Sequence, residues 1–66
     1  MIATFRKIKD GLHEFKAQEN GTMYQGTLRS QPSGRGSTLT SVDSYPDLGS
    51  KEGILISKFV GYLKNR

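Results

Sequence analysis

The 66-residue chain contains no cysteine, a single histidine and few apolar residues, 33% in all. Without cysteine there is neither a disulfide framework nor a thiolate zinc site to staple a small fold. One histidine, His13, cannot build a metal cage, so neither a metal nor another cofactor is expected. The longest strongly apolar run, Ile54-Leu55-Ile56, falls far short of the ~20 residues that span a bilayer. Charges at Arg6 and Lys7 interrupt the place where a secretory leader carries its apolar stretch. These absences point to a cytoplasmic protein without a membrane contact. Internal repeats and extended charge runs are missing as well.

A chain of this length buries only about 60% of the surface its unfolded form exposes. With so thin an apolar content, a partner or a second copy is a natural supplement to the core. A homodimer is one such arrangement.

What is present is basic. Ten Lys and Arg against six Asp and Glu give a net charge of +4. Residues 1–29 carry Arg6, Lys7, Lys9, Lys16 and Arg29 against three acids, and residues 51–66 carry Lys51, Lys58, Lys64 and Arg66 against one. The stretch between them is slightly acidic. Such a balance favours nucleic acid or an acidic protein surface through long-range attraction.

The strongest structural signal is a pair of turn dipeptides, Asp10-Gly11 and Asn20-Gly21. Gly takes φ > 0 without steric cost, and Asp and Asn tolerate it, so each pair suits a two-residue type I′ hairpin turn. Two such turns predict a three-stranded meander over residues 1–29. The implied pairing sets Lys9 opposite Leu12, Lys7 opposite Glu14 and Arg6 opposite Phe15. Across the second turn, Ala17 faces Tyr24, Phe15 faces Gly26 and His13 faces Leu28. Because side chains alternate, one face collects Ile8, His13, Phe15, Ala17, Tyr24 and Leu28. The other collects Phe5, Lys7, Lys9, Lys16, Gln25 and Arg29. Two residues fit poorly: Arg6 lands on the apolar face and Phe5 on the polar one. A helix through Ile2, Phe5, Ile8, Leu12 and Phe15 also matches a spacing of three and four. Gly11 and Asp10 weigh against it, since glycine in a helix costs about 1 kcal/mol relative to alanine.

Residues 30–50 are rich in Ser, Gly and Thr and read as a long loop, with a short strand at 37–42. The C-terminal segment, residues 51–66, reads as a helix. Ser50 is its candidate N-cap, Glu52 sits in its first turn, and Lys64 and Arg66 sit in its last, matching the helix dipole. Ile56, Phe59, Val60 and Leu63 form its apolar stripe, widened by Leu55 and Tyr62. Its β-branched residues leave a strand over 54–60 as the alternative. The fold class is therefore α+β: a three- or four-stranded antiparallel meander packed on one face by an amphipathic C-terminal helix, in one small domain.

Catalytic chemistry has little to stand on. A nucleophile needs a nearby base, and His13 belongs to the apolar face. The six carboxylates show no spacing for acid–base work. Gly34-Arg35-Gly36 could bring backbone amides to a phosphate, but it matches neither the P-loop nor the dinucleotide motif. The function expected is non-enzymatic binding of nucleic acid, weak and electrostatic. Lys7, Lys9, Lys16, Arg29 and Arg35 would carry it, with Lys58, Lys64 and Arg66 as a second patch. Phe5, Phe59 and Tyr62 are candidates for contact with a partner. The alternatives are a protein-interaction or inhibitory module, like the small accessory proteins that phages and mobile elements encode, and a structural homo-oligomer.

Overall fold

A computed structural model describes residues 1–34 and 36–65. Four antiparallel strands, β1 (Ile2–Lys9), β2 (Leu12–Glu19), β3 (Thr22–Ser33) and β4 (Gly36–Tyr45), form one open sheet in the order β1-β2-β3-β4. A 3₁₀ turn at Gly49–Lys51 leads into helix α1 (Glu52–Lys64), which covers one face of the sheet. The chain is thus an α+β meander with a C-terminal helix, in its four-stranded form.

The second hairpin follows the sequence expectation in full. Asn20 (φ 51°) and Gly21 (φ 81°) both take positive φ, as a type I′ turn requires. The β2–β3 register pairs Ala17 with Tyr24, Phe15 with Gly26 and His13 with Leu28.

The first hairpin departs from the expectation by one residue. Gly11 has φ 81°, but Asn20 is the only non-glycine with positive φ among the described residues, so Asp10-Gly11 does not make a type I′ turn. Asp10 instead pairs with Lys7, Nζ to Oδ1 2.7 Å. The register slips between Lys7 and Lys9, leaving Ile8 as the extra residue of a β-bulge. A one-residue slip exchanges the two faces of a strand. The expected pairs of Lys7 with Glu14 and Arg6 with Phe15 are therefore replaced by Arg6 with Glu14, Phe5 with Phe15 and Lys7 with His13. This resolves the earlier misfit, because Phe5 joins the apolar face and Arg6 leaves it.

Residues 30–50 are corrected more broadly. They are not a long loop: β3 runs on to Ser33 and β4 occupies Gly36–Tyr45. Together they extend the sheet into a hairpin arm, in a molecule measuring 37 × 21 × 21 Å. A second slip, between Arg29 and Ser30, leaves Thr40 unpaired in the ladder. Val42 opposite Leu28 and Leu39 opposite Ser30 consequently share the helix-side face despite lying three residues apart. Pro32 fits this strand because its nitrogen points the same way as that of Ser30. The Ser30 N–H reaches Gly11 O at 2.9 Å. Two residues further on, β2 has ended and no donor is needed.

The core lies between the sheet and the helix. Phe15, Ala17, Tyr24, Leu28, Leu48, Leu55 and Phe59 are buried, with Met1, Ala3, Phe5, Leu39, Val42, Tyr62 and Leu63 packed around them. The segment 54–60 is helical, which excludes the strand alternative. The apolar stripe is rotated from the one expected: Leu55 and Phe59 are buried, whereas Val60 is 43% exposed. Ser50 does not cap α1. It lies in the 3₁₀ turn, and the N-cap position is Lys51, which makes no side-chain cap bond. The helix start is fixed by other polar contacts. Leu48 N–H donates to Ser44 Oγ (3.2 Å) and Gly49 N–H to Asp47 Oδ1 (3.1 Å). Lys51 Nζ reaches both Tyr24 Oη (3.3 Å) and Glu19 Oε2 (3.3 Å), tying the helix to β2 and β3.

The open face of the sheet as candidate site

The face turned away from α1 is a lattice whose rows follow from the register. Ile2, Gln18 and Met23 make the first row. Thr4, Lys16, Gln25 and Tyr45 make the second, Arg6, Glu14, Thr27 and Asp43 the third, and Lys9, Leu12, Arg29 and Ser41 the fourth. With strands ≈ 4.8 Å apart and same-face residues ~6.7 Å apart along each strand, the lattice covers about 14 by 20 Å.

Its cations are Arg6, Lys9, Lys16 and Arg29, and its acids are Glu14 and Asp43. Arg6 Nε donates to Glu14 Oε1 at 2.6 Å. This bond holds the Glu14 carboxyl below the ordinary glutamate value and raises Arg6 above its own. Arg6 is thus partly neutralised, and Lys9, Lys16 and Arg29 supply the outward charge. Apolar surface gathers at the opposite end: Ile2 is 75% exposed, Met23 56% and Tyr45 79%. Tyr45 and Met23, with Tyr24, Lys16, Gln25 and Pro46, line a shallow cleft of about 310 Å³.

The expected binding residues are divided by the two layers. Lys9, Lys16 and Arg29 meet on the open face. Lys7 does not: its register position opposite His13 places it on the helix side, beside Asp10. Lys58 and Lys64 are exposed on α1, across the sheet from Lys16. Arg35 and Arg66 lie outside the described residues. Phe5, expected on the polar face, packs instead against Phe59 (5.2 Å between ring centroids) and Tyr62 (5.3 Å). His13 meets Phe59 at 5.0 Å and Tyr62 at 5.9 Å, both edge-on. Phe59, only 3% exposed, is the centre of this cluster. These four rings bind the helix to β1 and β2.

Two open-face residues escaped the sequence reading. Arg6 was assigned to the wrong face by the unrecognised bulge. Tyr45 lies beyond the short strand expected at 37–42, inside the stretch expected to be loop, yet it ends β4. The signal for Tyr45 is parity: once Thr40 is set aside, Leu39, Val42 and Ser44 fall on one side of β4, and Ser41, Asp43 and Tyr45 on the other.

Four carboxylates, Asp10, Glu14, Glu19 and Asp47, make contacts that hold the fold. Glu14 pairs with Arg6 and Asp10 with Lys7. The Lys51 ammonium keeps the Glu19 carboxyl below its usual range. Among the described residues, no group of three or more histidines and carboxylates is placed to hold a metal ion. No helix among them is long and apolar enough to cross a membrane. Comparison of the chain with protein-family models, curated proteins and solved structures finds no match.

Proposed function

We propose that the chain is a non-enzymatic module that binds nucleic acid on the open face of its sheet. The observation that carries this reading is the uncovered lattice on which Lys9, Lys16 and Arg29 project from three adjacent strands. A cationic surface of this kind tracks a phosphate backbone without reading sequence. Three phosphate contacts on a single strand imply that log K falls with log salt at a slope of about −2. Binding is therefore weak and strongly salt-sensitive.

Fluorescence anisotropy of a labelled oligonucleotide across a salt series tests the reading. Lys16→Gln with Arg29→Gln should flatten the slope by about 1.4, at ~0.7 per lost contact. Lys58→Gln with Lys64→Gln should leave it unchanged, because those lysines lie on the other layer. Negligible affinity at low salt for every nucleic acid tried would end the proposal.

A second reading, a protein-docking module, draws on the exposed apolar corner of Ile2, Met23 and Tyr45. Capture of one stoichiometric protein, independent of salt, would favour it. Sedimentation showing a dimer at all concentrations would favour self-association.

A further inference from the structure

We infer that the strand taken by this face is single, and that one of its bases stacks on Tyr45. The inference rests on the nucleic-acid reading above and adds the class of strand. Tyr45 presents 79% of its surface to solvent at the end of β4. It shares the second lattice row with Lys16 and Gln25, and Met23 and Pro46 complete the cleft beside it. An aromatic ring and a cation lining one cleft, two strands apart, can take an unpaired base and a phosphate of the same strand. The bases of a duplex are already stacked on one another and do not offer a free face to such a ring.

The obvious route to a duplex is poorly equipped. A two-stranded ribbon can enter the major groove, and the β3–β4 arm has that shape. Yet residues 30–40 carry one cation, Arg35, among Ser, Thr, Gly, Gln, Pro and Leu. The cations lie on the broad face at the base of the arm. A pleated surface of about 14 by 20 Å admits a strand laid across it, with phosphates near Lys16 and Arg29 and a base over Tyr45.

The test compares a short labelled oligothymidylate, an oligouridylate of the same length and a DNA duplex of the same length, all at low salt. Either single strand should bind at least tenfold more tightly than the duplex. Tyr45→Ala should weaken single-strand binding about tenfold or more, since base–aromatic stacking contributes ≈ 1–3 kcal/mol per base. Tyr45→Phe should retain the affinity. The oligonucleotide should quench tyrosine emission in the parent protein, and Tyr45→Phe should lose that quenching although binding remains. Circular dichroism is the check that each variant is folded, which the exposure of Tyr45 favours. Equal affinity for the duplex, or an unaltered affinity in folded Tyr45→Ala, would overturn the inference and leave the broader proposal standing. Absence of binding to all three probes would remove both.

Discussion

Gly26 is the position at which the sheet is least tolerant of a single methyl group. A Cβ built there would overlap the carbonyl oxygen of Asp43 and lie 2.8 Å from Asp43 C and 2.9 Å from Ser44 Cα. All three are backbone atoms of β4, so no side-chain rotation relieves the clash. Gly26→Ala must either push β4 outward or break the ladder around the Gly26–Ser44 pair. Overpacking of this kind costs about 1–3 kcal/mol, and each ladder bond lost adds about 0.5–1.5 kcal/mol. The expected destabilisation is therefore about 3 kcal/mol or more. A 66-residue domain has roughly 3–10 kcal/mol in total, so the variant should be severely weakened or unfolded. Gly53→Ala is the control. Its Cβ would meet nothing within 4 Å, and in the first turn of α1 the same change gains at most the ~0.8–1 kcal/mol of a helix interior. With a urea m-value of about 1 kcal/mol/M, the two midpoints should move in opposite directions, down by about 3 M and up by at most about 1 M. A Gly26→Ala midpoint within about 0.5 M of the parent, with the β3–β4 cross-strand contacts intact by NMR, would refute the close approach of the two strands.

Phe59→Ala removes the ring that joins Phe5, His13 and Tyr62, and should cost about 3–5 kcal/mol, measured as a fall in urea midpoint. Deletion of Ile8 removes the extra residue of the bulge and leaves Phe5 opposite Phe15, but it forces Asp10 toward positive φ, so it should cost about 1–3 kcal/mol without unfolding the chain. Loss of the fold would show that Ile8 is not that residue. Glu14 and Glu19 have folded-state pKa values below the ordinary 4.5. A depressed carboxylate contributes stability that is present above the unfolded value and lost as pH falls through the folded one. Urea midpoints should accordingly drop as the pH is lowered from about 5, and the combined Glu14→Gln and Glu19→Gln variant should lose less over the same range.

The extent to which this fold is legible in its sequence depends on parity. Asn20-Gly21 names both the turn and its type, so the β2–β3 register and the positions of Lys16 and Arg29 follow directly. Asp10-Gly11 names only the turn. Asp10 stays at negative φ, and one extra residue, Ile8, stands in the strand before the turn. That single residue decides whether Arg6 or Phe5 points to the helix. The misfit of those two side chains was itself the evidence of a bulge, since a cation on an apolar face and an aromatic on a polar one are corrected together by one shift. The same ambiguity recurs in β4, where Leu39 and Val42 are three apart and look unlike a strand until Thr40 is set aside. In helix α1 a comparable error had smaller consequences. Rotating the stripe from Val60 toward Leu55 changes the margin of the contact, because neighbouring positions on a helix lie 100° apart and overlap. On a strand, neighbours lie on opposite sides, and an error of one moves every residue beyond it from core to solvent. The candidate site inherits that asymmetry. Its centre, built from β2 and β3, is readable from composition and turns. Its margins, Arg6 on β1 and Tyr45 on β4, each lie beyond a bulge and become visible only when the backbone count is known.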